Sequence, residues 1–339
     1  MAGRVPNIDR LLKTFRYEKV SDVPNLELSI ESRAVEYFIG QRKRMGVLEP
    51  EARVRLAEAT GQDAIIVATT HELGEIREVE QDGFSFYKDG AIKTQADLAA
   101  YDLTTLIHQW YTETDALLAS HAAALRGNLG MAVYVPGPLY EAYLSVGLAD
   151  FMVKVADDPE LLLKLMDFHT DWGCESAKLA VKHGASFVIL GDDLAHTTGM
   201  LISPRLIADW WMPRARKITQ ILDAAGIPCM VHSCGKLEKV LPFLAELGVE
   251  AVHPFQPQCN DIYAVRQQYG RVFALVGNID ITFPLSMGTP DDVRRDVREH
   301  LERLAPDGGY IVASGHSIIN SIPPENFMAM LETVWDWRN

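Results

Sequence analysis

The 339-residue chain has no long run of basic residues and no apolar stretch of about eighteen residues. The second absence excludes a membrane-spanning helix. The first argues against a nucleic acid or an anionic membrane as partner, because phosphate binding needs clustered Lys and Arg. The charge balance points the same way, with 46 Asp and Glu against 32 Lys and Arg, net −14. A highly anionic substrate also fits poorly unless basic residues gather locally. Cysteine is scarce too: Cys174, Cys229, Cys234 and Cys259 are the four present. A chain of this length needs no disulfide staples, so reduced thiols in a cytoplasmic protein are expected. The stretch Met1–Pro6 lacks the apolar core of a signal peptide. Low-complexity segments, internal repeats and linker-like composition shifts are all missing, so one domain over residues 1–339 is expected.

What is present is a regular alternation of apolar runs and helical patterns. Eight runs read as strands: Val23–Leu28, Ala64–Thr69, Ala132–Val135, Phe187–Leu190, Pro228–Val231, Ala251–Phe255, Val272–Val276 and Tyr310–Ala313. Several are apolar without interruption, which suits parallel strands covered on both faces. The helices between them are well punctuated. Ser203-Pro204 opens one that Gly226 closes, Thr289-Pro290 opens a second running towards Leu304, and Pro323-Pro324 opens a last one ending near Trp337. Eight strand–helix units predict an α/β fold of the (β/α)8 TIM-barrel type. One insertion breaks the rhythm after the second strand. Glu75–Thr94 alternates polar and apolar residues around Asp82-Gly83 and Asp89-Gly90, predicting a small β-hairpin followed by a helix from Gln95 to Ala123.

In such barrels chemistry sits at the C-terminal strand ends. The predicted tips carry Glu27, His71-Glu72, Glu141, Asp192-Asp193, His232 with Cys234, His253, Asn278 with Asp280, and His316. The sharpest signal is His232-Ser233-Cys234-Gly235. Side chains two apart on a strand share a face, so an imidazole and a thiolate converge there, two of the ligands zinc prefers. A polar turn closed by Gly235 is the plainer alternative. His71 and His253 equally suit hydrogen bonds to nearby carbonyls, Asp192-Asp193 a cap on the following helix, and Glu27 an ion pair with a barrel arginine. Cys174 and Cys229 read as core cysteines, Cys259 on the loop after the sixth strand as a further candidate ligand, and Trp210-Trp211 as helix-face packing.

The order of Gly191-Asp192-Asp193-Leu194, Ile202-Ser203-Pro204, His232-Ser233-Cys234-Gly235, Gly308-Gly309-Tyr310-Ile311, Gly315-His316 and Pro323-Pro324-Glu325-Asn326 resembles the uroporphyrinogen decarboxylase-like superfamily. Within it, the chain is most similar to the branch of methylcobamide:coenzyme M methyltransferases and corrinoid-dependent demethylases. The resemblance implies zinc held by His232, Cys234 and a third residue after the eighth strand. That position is cysteine in the thiol-methylating branch and is His316 here. Beside these, Glu141, Asp192 or Asp193 can supply a fourth ligand or supporting hydrogen bond, and with Glu27 these acids are the catalytic candidates, as hydrogen-bond partners or as proton donor to the leaving group. The implied activity is methyl transfer between a small methoxylated compound or thiol and a corrinoid carried by a partner protein, in a chain able to form a homodimer. The alternative is a cofactor-free decarboxylase. Against it, the N-terminal Arg-x-Ala-Gly-Arg-Tyr pattern of that branch is absent, and acidic strand tips would repel a substrate with eight carboxylates. A non-catalytic binding barrel is the third reading.

Overall fold

The structure is a computed structural model that describes residues 4–41, 48–79 and 85–338. Seven strands form one curled parallel sheet: β1 (Ala64–Ala68), β4 (Gly130–Pro136), β5 (Phe187–Gly191), β8 (Cys229–His232), β9 (Ala251–His253), β10 (Ala274–Val276) and β11 (Tyr310–Ile311), adjacent in that order. Two further pairs lie outside it, β2 (Glu75–Val79) with β3 (Ser85–Gly90), and β6 (Ala195–His196) with β7 (Gly199–Met200). The β2–β3 pair is antiparallel, and residues 80–84, which hold Asp82-Gly83, lie outside the described residues. Asp89-Gly90 ends the second arm rather than making a turn.

Each strand alternates its faces. Ala64, Ala132, Phe187, Ile189, Met230, Ala251, Ala274, Val276, Ile311 and Ala313 join Leu26 in one cluster, capped by Leu11 and Phe15 of the helix Ile8–Phe15. That helix plugs the bottom of the sheet's concave side. The complementary residues, such as Val188, Leu190 and Val231, face the surrounding helices in the larger core.

The first predicted strand, Val23–Leu28, is not a strand. It pairs only through an isolated bridge, Asn25 to Val312. Pro24 has no N–H to donate, and the Glu27 N–H goes to the Gln62 side chain at 2.9 Å instead of to a neighbouring backbone. The segment nevertheless fills the eighth position. It is hydrogen-bonded to Val312 on one side, where Ser29 and Glu31 continue the contact to Ile318, and through Gln62 and Thr60 on the other.

The helix expected from Gln95 to Ala123 is two helices, Gln95–Ala99 and Leu103–Ala124. Asp102 interrupts it by accepting from the Thr105 N–H and hydroxyl, an N-cap that restarts the helix. The Ser203–Gly226 helix contains a wide π-turn at Ile207–Trp211, next to Pro213, which cannot donate within a regular turn. No helix among the described residues is long and apolar enough to cross a membrane.

Candidate metal centre

Sheet register sets the site. His232, last residue of β8, lies level with Gly191 on one side and His253 on the other. Its face is shared with the inward Met230, so the imidazole tops the inner layer. The chain then bends. Ser233 Oγ accepts from the Leu194 N–H at 3.0 Å, the Cys234 N–H donates to Asp193 Oδ1 at 2.7 Å, and the Gly235 N–H donates to Gln256 Oε1 at 2.7 Å. Gly235 has φ +87°, and a Cβ there would lie 2.6 Å from the Ala195 carbonyl carbon, so only glycine makes this turn.

His232 Nε2 and Cys234 Sγ end up 3.6 Å apart. His316 arrives from β11, its ring 5.8 Å from that of His232 and nearly perpendicular. One donor atom from each of His232, Cys234 and His316 lies within 4.8 Å of the others. Asp193 Oδ1 stands 3.9 Å from His232 Nε2. His232 Nδ1 is 2.7 Å from His253 Nδ1, so the two rings share a proton there and His232 is left with Nε2 facing the centre. A ligating histidine held by its other nitrogen is the usual support of a metal site.

Electrostatics fits a cation. Burial lowers His232, His253 and His316, so all three imidazoles are neutral. Burial and then Asp193 push the Cys234 thiol up. The negative potential that opposes a lone thiolate attracts a divalent ion, and a bound ion in turn favours the thiolate. An N,S,N donor set with a nearby carboxylate suits zinc.

The model of the family described as Uroporphyrinogen decarboxylase (URO-D) matches residues 74–337. The chain belongs to the uroporphyrinogen decarboxylase family. Among its relatives, a methylated-thiol–coenzyme M methyltransferase of Methanosarcina mazei is 26% identical over 203 residues, 60% of this chain and 52% of that protein. A uroporphyrinogen decarboxylase of Syntrophotalea carbinolica is 27% identical over 176 residues, 52% of this chain and 49% of that protein. The chain thus spans about half the length of the curated relatives it matches. A solved methyltransferase from Methanosarcina mazei shares the fold, with TM-score 0.72 at 20% identity over 98% of this chain and 99% of that one. Both methyltransferases and decarboxylases of the family are therefore relatives, and the site has to discriminate between them.

The other residues predicted from the sequence separate into distinct places. Asp192 is fully buried and accepts from the Leu139 and Tyr140 N–H groups at 3.3 and 2.6 Å and from Trp211 Nε1 at 2.6 Å. It does cap a helix, but one far upstream, Pro138–Val146, rather than the one that follows. Burial raises its carboxyl to about 7 despite these donors. Glu27 takes the Ser314 N–H at 2.9 Å and hydroxyl at 2.6 Å, securing the segment that delivers His316. No barrel arginine pairs with it among the described residues, and burial raises it to about 8. Glu141 is not brought to the three donors; the ring of His71 is its neighbour, 3.8 Å away. Cys259 is likewise outside the donor set, its Sγ 3.7 Å from the Gln256 carbonyl. Sequence reasoning missed His169, which meets His71, and the polar role of Trp211. Both sit in helices whose apolar pattern hides them.

Proposed function

We propose that this chain is a zinc-dependent methyltransferase that moves a methyl group between a small methylated substrate and a corrinoid carried by a separate protein. One observation carries the reading: His232, Cys234 and His316 converge at the strand tips with Asp193 beside them. The names of the methyltransferase relatives support it, and so does the acidic surround. Asp193 acts on all three donors, and Glu31 on His316. A substrate rich in carboxylates would meet repulsion there.

His232, Cys234 and His316 would hold the zinc, which supplies Lewis acidity towards the oxygen or sulfur of a substrate. Two imidazoles and one thiolate carry less negative charge than one imidazole and two thiolates, which favours activating an ether-type donor over charging a thiol. The chain's own residues do the rest. His253 orients His232 through the shared Nδ1 proton. Asp193 Oδ1 anchors the Cys234 backbone and is placed to accept the thiol proton when that ligand ionises. Asp192, with three donors on its carboxylate, holds the Pro138–Val146 helix and is not free to move a proton. Tyr140 and Tyr143 project from that helix into the field of Asp193 and Cys234, and burial keeps both phenols protonated.

The test is activity with and without an added corrinoid protein, together with metal content. Methyl transfer requires the corrinoid protein, and His232→Ala with Cys234→Ala removes one equivalent of zinc and the activity. Turnover without any cobalamin species, or chelator-insensitive CO2 release from a porphyrinogen, would sink the methyl-transfer reading in favour of the decarboxylase.

A further inference from the structure

A second group of donors lies in the wall of the barrel, outside the centre described above. His71 follows β1, Glu141 sits in the helix Pro138–Val146, and His169 in the helix Pro159–Lys182. They are 8%, 3% and 1% exposed, and one donor atom from each lies within 4.8 Å of the others. His71 Nε2 and His169 Nδ1 are 3.4 Å apart. That is long for a hydrogen bond and equals the separation of two nitrogens sharing one tetrahedral ion, about 3.4 Å for bonds of about 2.1 Å.

The group is also incomplete as it stands. His71 Nδ1 is buried without a hydrogen-bond partner. The Glu141 carboxylate faces it at 3.8 Å, beyond hydrogen-bond reach, and no donor among the described residues reaches that carboxylate. An ion taken by His71 Nε2 would leave the proton of that imidazole on Nδ1, turned towards the Glu141 carboxyl. His169 Nε2, by contrast, is fixed 3.0 Å from Ser145 Oγ, which leaves its Nδ1 for a ligand.

We propose that His71, Glu141 and His169 form a second, closed site for a first-row divalent cation, one that staples the Pro138–Val146 and Pro159–Lys182 helices to the tip of β1. Two imidazoles and one carboxylate without sulfur suit zinc, iron(II) or cobalt(II), while calcium and magnesium want six or more oxygens. Burial holds both imidazoles neutral, as ligands must be. Burial, and then Glu75, Asp192 and Glu72, push the Glu141 carboxyl well up, so a bound cation is what would hold it ionised. Trp172 closes the site, its ring centroid 3.6 Å from that of His71, and Trp110 packs behind it. A site this enclosed gives substrate no entry, so its role is structural. It holds the helix that presents Tyr140 and Tyr143, and it does not depend on the methyl-transfer reading.

Full-length protein stripped with chelator and titrated with cobalt(II) tests this. The expected result is two equivalents, one with thiolate-to-cobalt charge-transfer absorption and one with ligand-field bands alone. Cys234→Ser abolishes the first signature and leaves the second equivalent; His71→Asn with His169→Asn does the reverse. Glu141→Gln, which keeps the volume, weakens the sulfur-free equivalent by at least the roughly ten- to hundredfold that loss of an outer partner costs. Saturation of the wild-type chain with no sulfur-free equivalent overturns the proposal even if the histidine variants fail to fold. So does a second equivalent that Glu141→Gln leaves unchanged.

Discussion

The two histidine groups of this barrel are built from similar side chains and set them in different surroundings. At the strand tips, His232 and His316 flank a thiol, with Asp193 alongside and Cys234 and His316 only partly buried. In the wall, His71 stands between His169 and the Glu141 carboxyl, all three buried and with Trp172 against His71. Burial neutralises the imidazoles in both. The difference lies in the third donor and in access. A sulfur at an approachable rim would make a centre able to meet a substrate, whereas a carboxyl beside a buried indole would make a fastening. Histidine clustering alone therefore says little about catalysis; what lies over it says more.

Four changes test that contrast, ordered by expected size. His232→Ala with Cys234→Ala should cut methyl transfer by about a thousandfold or more, the scale of several kcal/mol of Lewis-acid stabilisation, while leaving the wall group's cobalt absorption intact; activity assays and absorption spectra on one sample would show it. His253→Ala should weaken metal at the rim by roughly ten- to hundredfold and leave the wall unaffected, measured by competition with a chelating dye. Trp211→Phe removes one donor from the buried Asp192 and should destabilise the fold by about 1.5–3 kcal/mol, read from denaturant midpoints at constant m-value.

Glu27→Gln makes the smallest and most specific change. The carboxyl is raised from 4.5 to about 8 by burial, so the folded chain holds a proton that the unfolded chain has lost between those values. Stability from this group is complete below about pH 4.5 and declines as pH rises to about 8. The amide variant should flatten that decline in a series of melts across the window. An unchanged slope would mean that the carboxyl is ionised in the fold.

Much of the architecture was legible because strands and helices announce themselves locally. The apolar runs at residues 64–69, 187–190 and 251–255 match sheet strands, and the caps at Ser203, Thr289 and Gly226 stand where expected. The pair His232 and Cys234 was legible for the same reason, being two residues apart. Long-range partnerships were not. Asp192 caps a helix some fifty residues upstream because the β4–β5 register sets Pro136 beside Gly191, and Gly137 has no side chain to compete; a Cβ there would fall 2.2 Å from Asp192 Cγ. His169 meets His71 across 98 residues of sequence. No pattern in either stretch hints at that meeting.

The eighth position of the barrel has a mechanical consequence. Seven strands are laced edge to edge by their own backbones, but residues 23–30 are laced on one flank and buttoned by the Gln62 and Asn25 side chains on the other. Deformation of a ring concentrates where its ties are fewest, so opening fluctuations should gather at this seam. His316 rides on the seam's flank through Ser314 and Glu27, while His232 and Cys234 belong to the middle of the sheet. An ion gripped by all three would span from the stiffest part of the hoop to its most compliant, acting as a clasp. Tightening or loosening the seam would then change the grip on the ion without touching any ligand.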